Sequence, residues 1–165
     1  MLLRAAAEKI RPRAEDKDIT VAVAASPDLP SVAVDAQRLG QALGNLLDNA
    51  VDHTDRGGSI TLGATVSGGM VTLTVADTGK GIPPEFLPHV FDRFFRIPGQ
   101  SKGTGTGLGL AIAREIVTAH GGTITCESQP GAGTAFHIIL PAVSEDTTIG
   151  ERQTGEAMSP KSSFS

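Results

Sequence analysis

The sequence of 165 residues holds one cysteine, Cys126, which excludes an internal disulfide and leaves too few thiols for a cysteine-based zinc site. Tryptophan and tyrosine are absent, and all six aromatics are phenylalanine. No basic run appears and the formal net charge is -4, which argues against a nucleic-acid groove or contact with an anionic membrane. No apolar stretch approaches the ~20 residues of a membrane-crossing helix, and the start lacks an apolar signal segment. The expectation is a soluble, cytoplasmic segment. Histidine is also scarce, with none before His53.

What remains is a hydrophobic fraction of 39%, enough for a real core, in a length that suits one domain. After Pro141 the chain turns polar and small (AVSEDTTIGERQTGEAMSPKSSFS), so residues 142–165 are expected to be a disordered polar tail. Residues 2–17 are mostly helix formers, with Pro12 expected to bend or end that helix. ITVAVAA (19–25) alternates as a strand does. Asp35 is placed to cap a helix running to residue 53. SITLGATVS and MVTLTVAD flank Gly68-Gly69, a hairpin signature. Residues 84–90 predict one helical turn. GLGLAIAREIVTAH predicts a helix that begins near Gly107 and stops at Gly121-Gly122, and TITCES and TAFHIIL predict a last strand pair. These elements give an α/β class with two layers, one mixed sheet and one set of helices.

Three stretches carry chemistry. At 100° per residue, Leu39, Leu43, Leu46, Leu47 and Ala50 share one side of the 35–53 helix, and Asn45, Asp48, Asn49 and Asp52 share the opposite arc. That arc is either a solvated face or a polar site; asparagine offers a neutral oxygen suited to Mg²⁺ beside a polyphosphate. DTGKGI (77–82) puts a carboxylate at a strand end before alternating glycines, reading either as a plain turn or as an acceptor for an exocyclic amino group such as that of adenine. GTGTGLGLAI (103–112) sets glycines ahead of a helix, where successive N–H groups and the helix N-terminus suit phosphate. Lys102 is either a point charge for that phosphate or a solvated loop residue. The spacing fits neither the P-loop nor the Rossmann fingerprint.

In chain order, NLLDNAVDHT (45–54), DTGKGI (77–82), FDRFFR (91–96), GTGLGLAI (105–112) and GAGTAF (131–136) resemble the N, G1, F, G2 and G3 boxes of the C-terminal catalytic ATP-binding domain of sensor histidine kinases. The resemblance spans roughly residues 5–141. It implies the Bergerat fold, a two-layer α/β sandwich with helices on one face of a mixed sheet, over a domain of residues 1–141. Residues 1–17 would be a leading helix or linker from a dimerization segment. By position it implies Asn49, assisted by Asn45, as Mg²⁺ ligands, Asp77 as the adenine-specifying carboxylate, and Gly79 and Gly81 lining the base pocket. Residues 96–106 would form a lid over ATP. Gly105, Thr106, Gly107, Leu108 and Gly109, with Lys102, would meet the phosphates, Thr134 would lie near adenine, and His53 would lie against the base or ribose. Phe91, Phe94 and Phe95 would latch the lid to the body, or serve as ordinary core.

Two departures stand out. The family often carries lysine and an aromatic where this chain has Asp52 and His53, and Asp52 would repel a triphosphate if it pointed inward. No histidine precedes the N box, so the phosphoacceptor and its general base are expected on a separate dimerization segment, and no catalytic residue is assigned in this chain. The expected partners are ATP, that histidine-bearing domain and, indirectly, a response regulator receiver domain, with the chain itself a monomer. A membrane anchor, where the parent protein has one, would lie elsewhere. Two other classes stay open. A related ATPase or anti-sigma-factor serine kinase would share the pocket, although hydrolytic relatives usually place Glu at the position of Asn45. A regulatory module would bind ATP without transfer.

Overall fold

The computed structural model describes residues 2–26, 29–97 and 107–143. Strands Thr20–Ala25 (β1), Ser59–Ser67 (β2), Met70–Asp77 (β3), Thr123–Gln129 (β4) and Gly133–Pro141 (β5) form one sheet in the order β1-β2-β3-β5-β4. β1 lies parallel to β2 and the other neighbours are antiparallel, which makes the sheet mixed. The helices are Leu2–Asp16 (α1), Ala36–His53 (α2) and Gly109–Ala119 (α3), with a 3-10 turn at Pro84–His89.

Alternation along the strands decides which face is covered. Val71, Leu73, Val75 and Asp77 of β3 are buried while the residues between them stay partly exposed, the pattern of a sheet packed on one side. One core joins that face to Ala7, Ile10 and Ala14 of α1, Leu39, Leu43, Leu46 and Leu47 of α2, and Ile116 and Val117 of α3. This is the expected two-layer α/β arrangement. Among the described residues no helix is long and apolar enough to cross a membrane.

Local chemistry accounts for most boundaries. Asp35 caps α2, its Oδ1 accepting from the amides of Gln37 at 3.0 Å and Arg38 at 3.2 Å. Asp35→Ala is expected to cost about 1 kcal/mol in a urea unfolding experiment. Gly68 and Gly69 both have positive φ, as a two-residue hairpin between Ser67 and Met70 requires. Past α3, the Gly122 amide bonds back to the Val117 carbonyl at 3.0 Å, with Gly121 at φ 78°. His120 donates from Nδ1 to the Ile116 carbonyl and accepts at Nε2 from the Asp35 amide, tying the end of α3 to the start of α2.

Of the two outcomes expected at Pro12, ending is excluded, since α1 continues to Asp16; its buried face, including Ile10 and Ala14, spans the proline and holds both halves to the core. Two expectations need correction. α3 begins at Gly109 rather than near Gly107, because Gly107 adopts φ 83°, outside the helical region. The chain also stays tied to the fold beyond Pro141: Ala142 bridges Val32, and the Val143 amide donates to the Ser31 carbonyl at 2.8 Å. The rest of the expected tail, residues 144–165, lies outside the described residues.

Candidate functional site

Asp77 ends β3 with only 7% of its surface exposed. Its Oδ1 accepts from the Gly79 amide at 2.8 Å, and among the described residues its buried Oδ2 has no hydrogen-bond partner. Burial raises its pKa from the ordinary carboxylate value, opposed by the amides of Gly79 and Thr134 and by His53. A buried acceptor left without a donor costs free energy unless something supplies one.

Across the β3–β5 ladder Asp77 faces Thr134, which is equally buried. Ser128 organises this corner: its hydroxyl accepts from the Ile82 amide at 2.7 Å, donates to the Gly133 carbonyl at 2.9 Å and lies 2.9 Å from the Thr134 hydroxyl. A serine has one hydroxyl hydrogen, so with that hydrogen on Gly133 the Thr134 hydroxyl must be the donor between the two. Thr134 is left with acceptor capacity only. Asp77 and Thr134 therefore present acceptors, which complement an amino group and disfavour a carbonyl.

The glycines after Asp77 are required by the protein's own packing. A Cβ at Gly79 would sit 2.2 Å from the His53 carbonyl oxygen, and one at Gly81, where φ is 77°, would sit 2.0 Å from the Gln129 carbonyl oxygen. Both lie beside Asp77, but their missing side chains make room for the protein's own backbone. The Lys80 amide donates to His53 at 3.2 Å and its carbonyl accepts from Gly131 at 2.6 Å, lacing this loop to α2 and to the β4–β5 turn. Gly133 is as tight as Gly81, a Cβ there falling 2.0 Å from the Asp77 carbonyl oxygen.

The polar arc of α2 divides in two. On one edge Asn45 donates from Nδ2 to the Gly109 carbonyl at 3.0 Å, and His53 Nδ1 donates to the Asn49 carbonyl at 2.9 Å. Asn45 and His53 are half-buried. On the other edge Asp48 and Asp52 pair with Arg13 of α1 at 2.5 and 2.9 Å. Asp52 is thus engaged with a cation rather than left free to meet a ligand.

Leu108 precedes α3 and makes no side-chain cap hydrogen bond to the first-turn amides of that helix. The Gly107 carbonyl accepts from the Phe94 amide at 2.7 Å, and a Cβ on Gly107 would collide with the Phe94 backbone. Phe94 adopts φ 64° and is 68% exposed. Phe91 packs edge-on against the core residue Phe136, and Phe95 lies against Phe86 and His89. Lys102, Gly105 and Thr106 lie outside the described residues. The Cys126 thiol, pushed up to about 12 by burial, then by Asp77 and Glu127, is not a reactive group.

Ser128, Gly133 and Arg13 were not among the expected site residues. Gly133 lies inside the quoted GAGTAF box. Ser128 is an ordinary strand serine, and Arg13 meets partners 35 and 39 residues away, which no local pattern signals.

Residues 34–144 match the family model for histidine kinase-, DNA gyrase B- and HSP90-like ATPases. The sensor protein DivL of Caulobacter vibrioides is 39% identical over 163 residues, covering 99% of this chain and 20% of DivL. The chain spans 20% to 37% of the length of three curated relatives it matches. Among solved structures, the mycobacterial sensor histidine kinase MprB aligns with a TM-score of 0.77 and 36% identity over 86% of this chain and 93% of that one. Full-length ShkA in complex with AMPPNP aligns with a TM-score of 0.76 and 38% identity over 87% of this chain and 30% of that one. Likeness of this extent, on a sheet whose buried end presents an unmet acceptor, identifies the family: the chain belongs to the histidine kinase-, DNA gyrase B- and HSP90-like ATPases, as an ATP-binding catalytic domain of the sensor histidine kinase kind.

Proposed function

We propose that this domain binds MgATP and delivers the γ-phosphoryl group to a histidine on a separate dimerization segment. The observation that carries the reading is the buried, unpartnered Oδ2 of Asp77 in a corner otherwise satisfied by Ser128 and Gly79. An adenine amino group supplies the donor that oxygen lacks, while guanine would set a carbonyl against it. Thr134 adds a second acceptor beside the base, and Gly79 and Gly81 hold the wall of that pocket. His53, one helical turn past Asn49, lies against the base or ribose.

Asn45 and Asn49 suit a divalent cation. They offer neutral oxygens that do not add to the charge of the phosphates, and the Asn45 amide nitrogen is already committed to Gly109, leaving its oxygen available. The cation, when bound, offsets charge developing on the phosphoryl oxygens. Gly107, Leu108 and Gly109 turn amides toward the phosphates, and Lys102, Gly105 and Thr106 extend that contact. In the transfer, the bond from the γ-phosphorus to its bridging oxygen breaks, a bond to an imidazole nitrogen forms, and ADP departs. The phosphohistidine then supplies an aspartate of a response regulator receiver domain.

The test is a calorimetric titration with a non-hydrolysable ATP analogue, with and without Mg²⁺, on the native chain and Asn49→Ala. Mg²⁺-dependent binding is expected, with Asn49→Ala weakening it roughly tenfold or more, as loss of a metal contact does. A folded native chain that binds nothing up to millimolar analogue would overturn the reading. If it binds MgATP but labels no histidine-bearing dimerization domain supplied with it, a regulatory module is the better description.

A further inference from the structure

Arg13 stands outside every box that marks this family, on the helix that precedes them. It reaches α2 with both terminal guanidinium nitrogens, Nη1 to Asp48 Oδ1 at 2.5 Å and Nη2 to Asp52 Oδ1 at 2.9 Å. The two carboxylates are one helical turn apart, close enough to repel each other without a shared cation. Each also neighbours a proposed ligand of the metal and phosphates: Asp48 is three residues from Asn45 and next to Asn49, and Asp52 is three residues past Asn49. Side chains three and four apart on a helix share a surface. Unpaired, the two carboxylates would leave two negative charges on the helix surface next to the proposed site of a polyphosphate that itself carries net negative charge, and such charges act over about 10 Å at 0.1 M salt.

We infer that Arg13 is a positioning residue for nucleotide binding: by holding Asp48 and Asp52 it removes negative charge from the edge of the phosphate site and lets a chain with aspartate at position 52 accept MgATP. The inference rests on the nucleotide reading above. The helix α1 is seated firmly enough for this, since Leu3, Ala7, Ile10 and Ala14 are buried against the core and Arg13 lies within its last turn. All three side chains keep solvent contact, so the effect is one of long-range charge, moderate in size and sensitive to salt.

The experiment titrates an ATP analogue with Mg²⁺ into the native chain, Arg13→Gln, Asp48→Asn/Asp52→Asn and the triple variant, at low salt and near 1 M salt. Arg13→Gln is expected to bind roughly threefold to tenfold more weakly at low salt, with the gap closing near 1 M, where the Debye length is about 3 Å. The double variant, which keeps Arg13 with no carboxylate to neutralise, should bind more tightly than native, and the triple variant should return to native affinity or better. Native affinity in Arg13→Gln at low salt would overturn the inference. So would a triple variant as weak as Arg13→Gln, which would mean that the arginine acts by seating α1. Absence of binding by the native chain would instead remove the nucleotide reading itself, and this inference with it. Far-UV circular dichroism and a thermal melt on each variant separate weak binding from loss of fold.

Discussion

Asp77→Asn is expected to bind an ATP analogue at least roughly a hundredfold more weakly than the native chain, the loss of about 2.7 kcal/mol that a hydrogen bond to a buried charged group supplies. The amide can turn its NH₂ toward the base, where a donor meets a donor, or its oxygen, in which case its own NH₂ must find a partner beside the Gly79 amide. The same variant should be more stable than native without nucleotide. Native Asp77 keeps a carboxylate buried with one oxygen unmet, and burial raises its pKa from 3.8. Because the folded state holds that proton more tightly than the unfolded state, stability is lost as pH rises from 3.8 through the raised folded value and stays lost above it. Asparagine carries no such proton. Melting curves over an acid-to-neutral series should show the Asp77→Asn variant gaining on native as pH rises through that window, then holding a constant lead. A variant that binds like native, or a lead independent of pH, would contradict this account of the pocket.

Gly81→Ala is expected to destabilise the fold by about 2 to 4 kcal/mol, combining a left-handed backbone with overpacking. At φ 77° an L side chain is strained, and its Cβ would lie 2.0 Å from the Gln129 carbonyl oxygen, backbone that cannot swing aside. Relief would require separating the loop after β3 from the β4–β5 turn, which breaks the bond from the Gly131 amide to the Lys80 carbonyl. Gly131→Ala makes the control. Its φ of 80° is equally left-handed but nothing lies within 4 Å of the added carbon, so only the conformational cost of about 1 to 2 kcal/mol should appear. Urea unfolding of the pair should separate the two contributions. Equal losses would mean that the close approach at Gly81 relaxes freely.

Elements with a clear period or a terminal signal were legible in the chain. Asp35, the apolar stripe of α2, Gly68-Gly69 and Gly121-Gly122 each act within a few residues, and the structure uses all of them. Pro12 left two outcomes open, and burial on both sides of it decides against ending the helix there. The start of α3 depends on Gly107 meeting Phe94, a contact between distant segments. The site follows the same division. Asp77 and Thr134 stand in recognisable boxes, yet that they are paired follows only from strand register. The side to which Asp52 turns depended on α1, a helix whose own sequence says nothing about its partner. Gly79 and Gly81 stand in a recognisable box, but the carbonyl oxygens of α2 and β4 that approach them come from distant segments no local pattern signals.

The pairing of Asp77 with Thr134 also bears on how the domain could fail. Both residues belong to the buried set of their strands, with Val75 beside one and Phe136 beside the other. Slipping β5 by one residue would turn Thr134 to the open face and would expel Phe136, Ile138 and Leu140 from the interior in the same movement. A one-residue slip therefore cannot misalign the two acceptors without also opening the core, so that error in register is penalised by the apolar strand residues rather than by the polar corner.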